Sequence, residues 1–326
     1  MNPAPAARNR GLRSIHRFLC LFRPGLLLAI AGFAVAPFAQ AAPEKRPVYV
    51  TASFTDKNDL FIENLQQSEI EIFENNQPRK IEFMARDELP TVYGIVFDRG
   101  MLPESSDQDR PSGQAVPKSI AARDLAYQLI DKQLGRQTLW VGVYDRELET
   151  VFEPASDGFG AKNALHELRG SRRHENTFLY SALFSATTMM NQRHEKRRIL
   201  ILFLESLDSE TAGKMKQLKN LLSSSNVELF AVCFASRLAD AGTMPSSLTV
   251  SLMKELTQVT AGSAFFTMDY RDHFDDIARR VINHLRTVYT FGFTSDSTTA
   301  SPGKFVIKCS RPNSKVKSHP AVPVLD

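Results

Sequence analysis

Downstream of Pro90 the chain alternates short, wholly apolar runs with longer stretches whose apolar residues recur every three or four positions. The apolar runs Val92–Phe97, Leu139–Tyr144, Ile199–Leu204, Val227–Phe234 and Ala264–Phe266 predict strands. The periodic stretches predict helices over Ile120–Leu134, Ala161–Leu168, Phe178–Met190, Thr211–Leu222, Leu248–Thr260 and His273–Val288. In the first of these, Ala122, Leu125, Ala126, Leu129 and Ile130 share one face. Strands with no polar alternation are covered on both sides. The expected fold class is therefore α/β, a doubly wound, mostly parallel sheet flanked by helices.

On either side of this body the period changes to two. Val48, Val50, Ala52 and Phe54 line one face of a first strand. Glu69–Phe73 and Lys80–Phe83 predict two more, with Asn75-Asn76-Gln77-Pro78 as turn chemistry between them, hence a hairpin. After Val288, Tyr289–Phe293 and Lys304–Lys308 predict strands joined by the polar loop Ser295–Gly303. A hairpin alone is marginal in water, so the two β-rich ends are expected to form one small β region buttressing the body. The expected division is an export signal over 1–41, an N-terminal β segment over 42–89, the α/β domain over 90–288, C-terminal β strands over 289–313 and a loose tail over 314–326.

The first 41 residues carry Arg8, Arg10, Arg13, Arg17 and Arg23 and no acid, then the apolar run Leu26–Ala36, then Ala39-Gln40-Ala41. That order is a cleavable signal peptide cut near Ala41, which makes the protein exported, periplasmic or secreted. The alternative is an uncleaved membrane anchor, and only in that case does the chain contact a membrane. Taking those five arginines from the formal net charge of +4 leaves −1 for residues 42–326. A general electrostatic case for nucleic acid therefore fails. Hydrophobic residues at 43% and charged residues at 23% are an ordinary globular composition, which excludes collagenous, low-complexity and disulfide-scaffold classes. Cleavage leaves Cys233 and Cys309; export permits a disulfide, while the apolar run around Cys233 favours a buried thiol.

Enzyme signatures are scarce. The chain has no phosphate-binding loop, no Gly-x-Ser-x-Gly elbow and no His-Glu-x-x-His, and its histidines lack metal-ligand spacing. The informative residues are positional, because doubly wound sheets bind ligands outside the carboxyl ends of their strands. The first body strand ends in Asp98, the fourth runs into Glu205, and Thr177 stands at the start of the helix Phe178–Met190. An Asp, a Thr and a Glu at one rim are oxygen ligands suited to a hard divalent cation. The same residues also read as a helix cap and two solvated loop acids. Arg193, Lys196, Arg197 and Arg198 precede a strand and read as a solvated face at the opposite end.

Several segments, in this order, carry a family resemblance: Val50–Asp56, Ile70–Pro78, Ile81–Phe83, Tyr93–Asp98, Asn176–Ala182, Arg198–Leu202, Leu256–Phe266 and Tyr289–Phe293. Residues 47–310 resemble a family of exported bacterial proteins in which a short β segment precedes a von Willebrand factor type A domain. The resemblance implies a doubly wound α/β domain that binds protein ligands, often through a metal-ion-dependent adhesion site. That site uses Asp-x-Ser-x-Ser, a Thr and a later Asp. Asp98 matches the first Asp and Thr177 the Thr, but Gly100 and Leu102 stand where hydroxyls belong, and Glu205 replaces the later Asp. Leu102 either faces the crevice or is turned away from it.

The expected function is thus an exported, non-enzymatic module that binds a protein partner through the rim loops, over a degenerate metal site. Asp98, Thr177 and Glu205 are its vestigial ligands, no cofactor is expected, and Arg99, Arg172, Arg173, His174 and Asp208 are candidate partner-binding residues. The alternative is metal-dependent adhesion, with Mg or Mn held by Asp98, Thr177 and Glu205.

Overall fold

A computed structural model describes residues 46–58, 60–86, 89–102, 118–132, 134, 137–170, 178–204, 207, 209–234, 246–267, 274–295, 304–318 and 322–323. The expected export signal, residues 1–41, lies outside the described residues, as do residues 296–303. No helix among the described residues is long and apolar enough to cross a membrane.

The chain enters as β1 (Arg46–Thr55), followed by β2 (Ile70–Glu74), β3 (Gln77–Arg79) and β4 (Phe83–Arg86). β2 and β3 form the expected hairpin with a different second arm. Asn75 and Asn76 take φ of 50° and 65°, so a two-residue turn starts the return strand at Gln77 rather than Lys80. The residues after Ile81 leave that sheet as β4.

The body begins with β5 (Thr91–Asp98) and continues through α1 (Lys118–Lys132), β6 (Thr138–Tyr144), β7 (Leu148–Ala155), α2 (Gly158–Glu167) and α3 (Leu179–Asn191). It goes on through β8 (Arg197–Leu204), α4 (Ser209–Gly213), α5 (Met215–Ser224), β9 (Glu228–Cys233), α6 (Ser246–Gln258), β10 (Ala264–Phe266) and α7 (Phe274–Thr287). The sheet order is β10-β9-β8-β5-β6-β7, parallel except for β7. This is the doubly wound fold expected from the apolar runs. The antiparallel edge strand β7 has no such run: Glu149, Glu153 and Pro154 suit an edge and hide it from a hydropathy reading. The helix expected over 211–222 is broken at Lys214, just after Gly213.

Two apolar layers cover the sheet. α1, α2 and α7 pack on one face with Phe97, Phe203 and Phe230, and α3, α5 and α6 on the other with Trp140, Leu202 and Leu229. A Cβ at Gly94 would stand 2.5 Å from the Trp140 ring, so glycine in the central strand lets that ring lie across it. Trp140 Nε1 donates to Met190 Sδ at 3.0 Å. Cys233 is a buried free thiol whose pKa burial pushes up, and Cys309 is a half-buried free one.

The chain ends build a third core. β11 (Tyr289–Ser295), β12 (Phe305–Cys309), β13 (Lys315–Ser318) and β14 (Val322–Pro323) follow α7. β1 pairs antiparallel with β11 from Arg46–Ser295 to Ala52–Tyr289, and β4 pairs on the far side of β11. β12 pairs with β2. Phe54, Tyr289 and Phe291 interlock in the middle, and Tyr289 Oη accepts from Leu65 N at 3.1 Å. The tail expected to be loose instead supplies β13 and β14, both paired with β1, because the outer edge of β1 offers backbone groups that need partners.

One expectation fails at the amino end of the sheet. Arg197 is 4% exposed, not part of a solvated face. Its guanidinium holds Glu228 at 3.0 and 3.1 Å and donates to Leu285 O at 2.8 Å, joining β8, β9 and α7. Arg198 is half-buried, with its guanidinium on Arg193 O. A basic run read by composition alone gives no hint that one member faces a carboxylate on the next strand.

Glu228→Gln is expected to lower unfolding stability by about 3 kcal/mol or more, because it strands a buried guanidinium. The Arg197→Met/Glu228→Leu pair should recover most of that loss in denaturant titration. A second expectation concerns His284, which is buried; its pKa is pushed down to about 3, first by burial and then by the Lys317 and Arg197 charges. The folded chain keeps it neutral while the unfolded chain takes up a proton below about 6.5, so stability is full above that pH and falls as pH drops toward 3. From pH 7.5 to 5.0 the wild type should lose about 2 kcal/mol more than His284→Leu, as read by chemical denaturation at both pH values.

Candidate functional site

The rim at the carboxyl ends of β5, β6 and β8 is built first by the loop after β5. Asp98, 5% exposed, ends the strand and caps a single 3-10 turn, Arg99–Met101, by accepting from Gly100 N at 2.9 Å. Leu102 N closes the turn on Arg99 O at 3.2 Å. Met101 and Leu102 both turn inward and join the apolar layer around Phe97. Leu102 therefore points away from the crevice: an apolar side chain at this position gains more from the core than from a polar rim. Residues 98–102 contribute one carboxylate and no hydroxyl, and that carboxylate already accepts a backbone N–H.

Two further contacts lock the loop. Arg99 reaches sideways along the rim to Asp145, with Nε 3.2 Å from Oδ2, and its Nη2 bonds Glu149. The candidate partner-binding arginine is thus engaged within the rim, bridging β5 to the β6–β7 hairpin. On the other side, the backbone of Gly170 lies so close to Leu102 O that a Cβ there would stand 2.4 Å away. Only a residue with no side chain allows this approach.

The start of α3 is held by neighbours. Phe178 N donates to Asp145 O at 2.7 Å, and Tyr180 N donates to Thr211 Oγ1 at 3.0 Å. Thr211, buried in the short helix α4, thus supplies a cap to the first turn of α3 from across the rim. By sequence Thr177 reads either as a ligand or as the cap of this helix; the bond from Tyr180 N to Thr211 joins two elements across 31 residues of chain, and no local spacing marks it. Thr177, Glu205, Arg172, Arg173, His174 and Asp208 lie outside the described residues. Of the expected site, then, the structure places Asp98, Arg99, Gly100 and Leu102, and adds Asp145, Glu149, Gly170 and Thr211. No cluster of three or more His, Cys, Asp or Glu side chains suited to a metal ion occurs among the described residues. In the loop after β5 the donor set does not fit the adhesion-site pattern, since Gly100 and Leu102 carry no side-chain oxygen and Leu102 packs into the core.

No family model matches the chain, and no curated relative does. Solved structures similar to it include an aerotolerance-related membrane protein from Bacteroides fragilis, at 15% identity over 60% of this chain and 98% of that one, with a TM-score of 0.46. A von Willebrand factor type A protein from Catenulispora acidiphila is similar at 12% identity over 84% of this chain and 70% of that one, with a TM-score of 0.43. Proximal thread matrix protein 1 of the mussel byssus, solved with a zinc-occupied adhesion-site motif, is similar at 13% identity over 65% of this chain and 50% of that one, with a TM-score of 0.48.

Gly170→Ala should displace the loop 99–102 and cost about 1–3 kcal/mol, the range for forcing atoms into a packed site. Thermal unfolding checks this, and an unchanged midpoint would mean that the close approach is not rigid.

Proposed function

We propose that this von Willebrand factor A-type chain is an exported, non-enzymatic module that binds a protein partner through its rim without a metal ion. The observation that carries the reading is the state of the loop after β5. Asp98 is bonded to Gly100 N, Leu102 is in the core, and Arg99 is tied to Asp145 and Glu149. A hard cation needs a nearly complete oxygen shell, and residues 98–102 offer it a single carboxylate. The described part of the rim is held instead by the protein's own charges and backbone, which gives a fixed polar surface for a partner. Export rests on the Arg-rich start, the apolar run and Ala39-Gln40-Ala41. The partner-facing loops include Arg99 and, by sequence position, Arg172, Arg173, His174 and Asp208.

Two measurements test this. Magnesium should bind the natural protein no more tightly than about millimolar, roughly 4 kcal/mol, in titration calorimetry. In capture from the native cell envelope, Arg99→Ala should weaken retention of the partner about tenfold, as loss of one charged contact does, and a chelator should leave it unchanged. Micromolar Mg or Mn binding by the natural sequence, or loss of the partner on chelation, favours the metal-dependent alternative.

A further inference from the structure

The amino end of the sheet carries a second feature, separate from the rim. A cavity of about 760 Å³ opens where the α/β body meets the two chain ends, within the size range of small-ligand pockets. β10 and the C-terminal halves of α6 and α7 form one side, and residues 60–63 with Lys317 of β13 form the other. Neither part encloses it alone.

Its polar centre is small and defined. Lys317 Nζ donates to Gly262 O and, at 3.3 Å, to Ser263 Oγ. Ser263 Oγ in turn lies 3.2 Å from Nδ1 of the buried His284. An ammonium has three protons, and Gly262 and Ser263 take two of them. Among the described residues no carboxylate lies within ion-pair distance of Lys317, although burial lowers its pKa to about 8. The acid whose charge reaches Lys317, Glu228, is already held by Arg197, so an entering anion would give the half-buried cation a counter-ion of its own.

The rest of the lining fixes what kind of anion fits. Phe61 and Phe265 supply aromatic walls, and the Arg280 guanidinium stands 5.2 Å over the Phe265 ring. Lys254 adds a further cation. Among the described residues the one lining acid, Glu63, has its carboxylate 3.6 Å from the Arg86 guanidinium, which offsets its charge. Lys317 and Ser263 suit a carboxylate and the aromatic side chains beside them suit an apolar body, while Lys254 and Arg280 favour any anion, so phosphate is the competing ligand.

We propose that this seam cavity is a binding site for a small organic acid, with its carboxylate on Lys317 and Ser263 and its apolar body between Phe61 and Phe265. The ligand would bridge the body and the chain ends, since Lys317 and Phe61 come from the ends and Ser263 and Phe265 from the body.

The test is titration calorimetry of the full exported chain with phenylbutyrate, phenylbutyramide and inorganic phosphate. The acid should bind with a submillimolar Kd, and the neutral amide and phosphate at least about tenfold more weakly. Lys317→Met should weaken the acid at least about tenfold and leave the amide unchanged. Should Lys317→Met fail to fold cooperatively, Ser263→Ala carries the same test and is expected to weaken only the acid. Equal binding of acid and amide, phosphate binding as tightly as the acid, no acid binding, or variants that bind the acid like the wild type would each overturn the proposal.

Discussion

The pairing of β1 with β11 is the constraint on which the rest of the molecule depends. It sets residues 46–52 against 289–295, with the whole α/β body as the intervening loop. Loop-closure entropy grows only with the logarithm of loop length, and the body is itself ordered, so the long separation costs little more than a short one. Once the pair forms, β4 can extend it on one edge, and β13 and β14 on the other. The aromatic cluster of Phe54, Tyr289 and Phe291 then has both of its halves. Because β11 follows α7 directly, the same pairing draws the chain ends against the amino end of the body sheet, with Phe61 on His284 and Lys317 on Gly262.

The two ends of that sheet solve different problems. At the amino end, charged groups are taken out of water and must find partners there. Arg197, Glu228 and the carbonyl of Leu285 satisfy one another, whereas His284 remains neutral between Phe61 and Phe230. At the carboxyl end, the rim keeps its charges near solvent and uses them sideways, through Arg99 to Asp145 and Glu149. Such exposed pairs add little stability, but they fix where side chains stand. For the proposed function that fixed placement matters more than the energy.

At the candidate site, Asp98 was legible because a carboxylate closing an apolar strand has a defined position whatever follows. Gly100 and Leu102 were legible as departures from a pattern, but the direction of Leu102 was not. A leucine after a strand is compatible with a crevice or a core, and only the neighbouring Phe97 and Phe203 layer settles which. Arg99, Asp145 and Gly170 come from three loops and Glu149 from the start of β7, and no local spacing records that Arg99 meets the others. Arg197 misled for the same reason: its partner Glu228 lies on an adjacent strand, whose register a run of basic residues does not encode.

By itself the sequence determined what periodicity and local chemistry can carry. Apolar runs between amphipathic stretches specified a doubly wound parallel sheet, since only strands buried on both faces lack polar alternation. Period-two segments specified β ends, and Asn75-Asn76 specified the turn between two of them. The tertiary structure alone decided the edge strand β7, the pairing of the former tail with β1, the burial of Arg197 and the inward turn of Leu102. Each depends on which surfaces meet across long stretches of chain. That is a property of packing and of backbone hydrogen-bond satisfaction, and neither leaves a local signature in the order of residues.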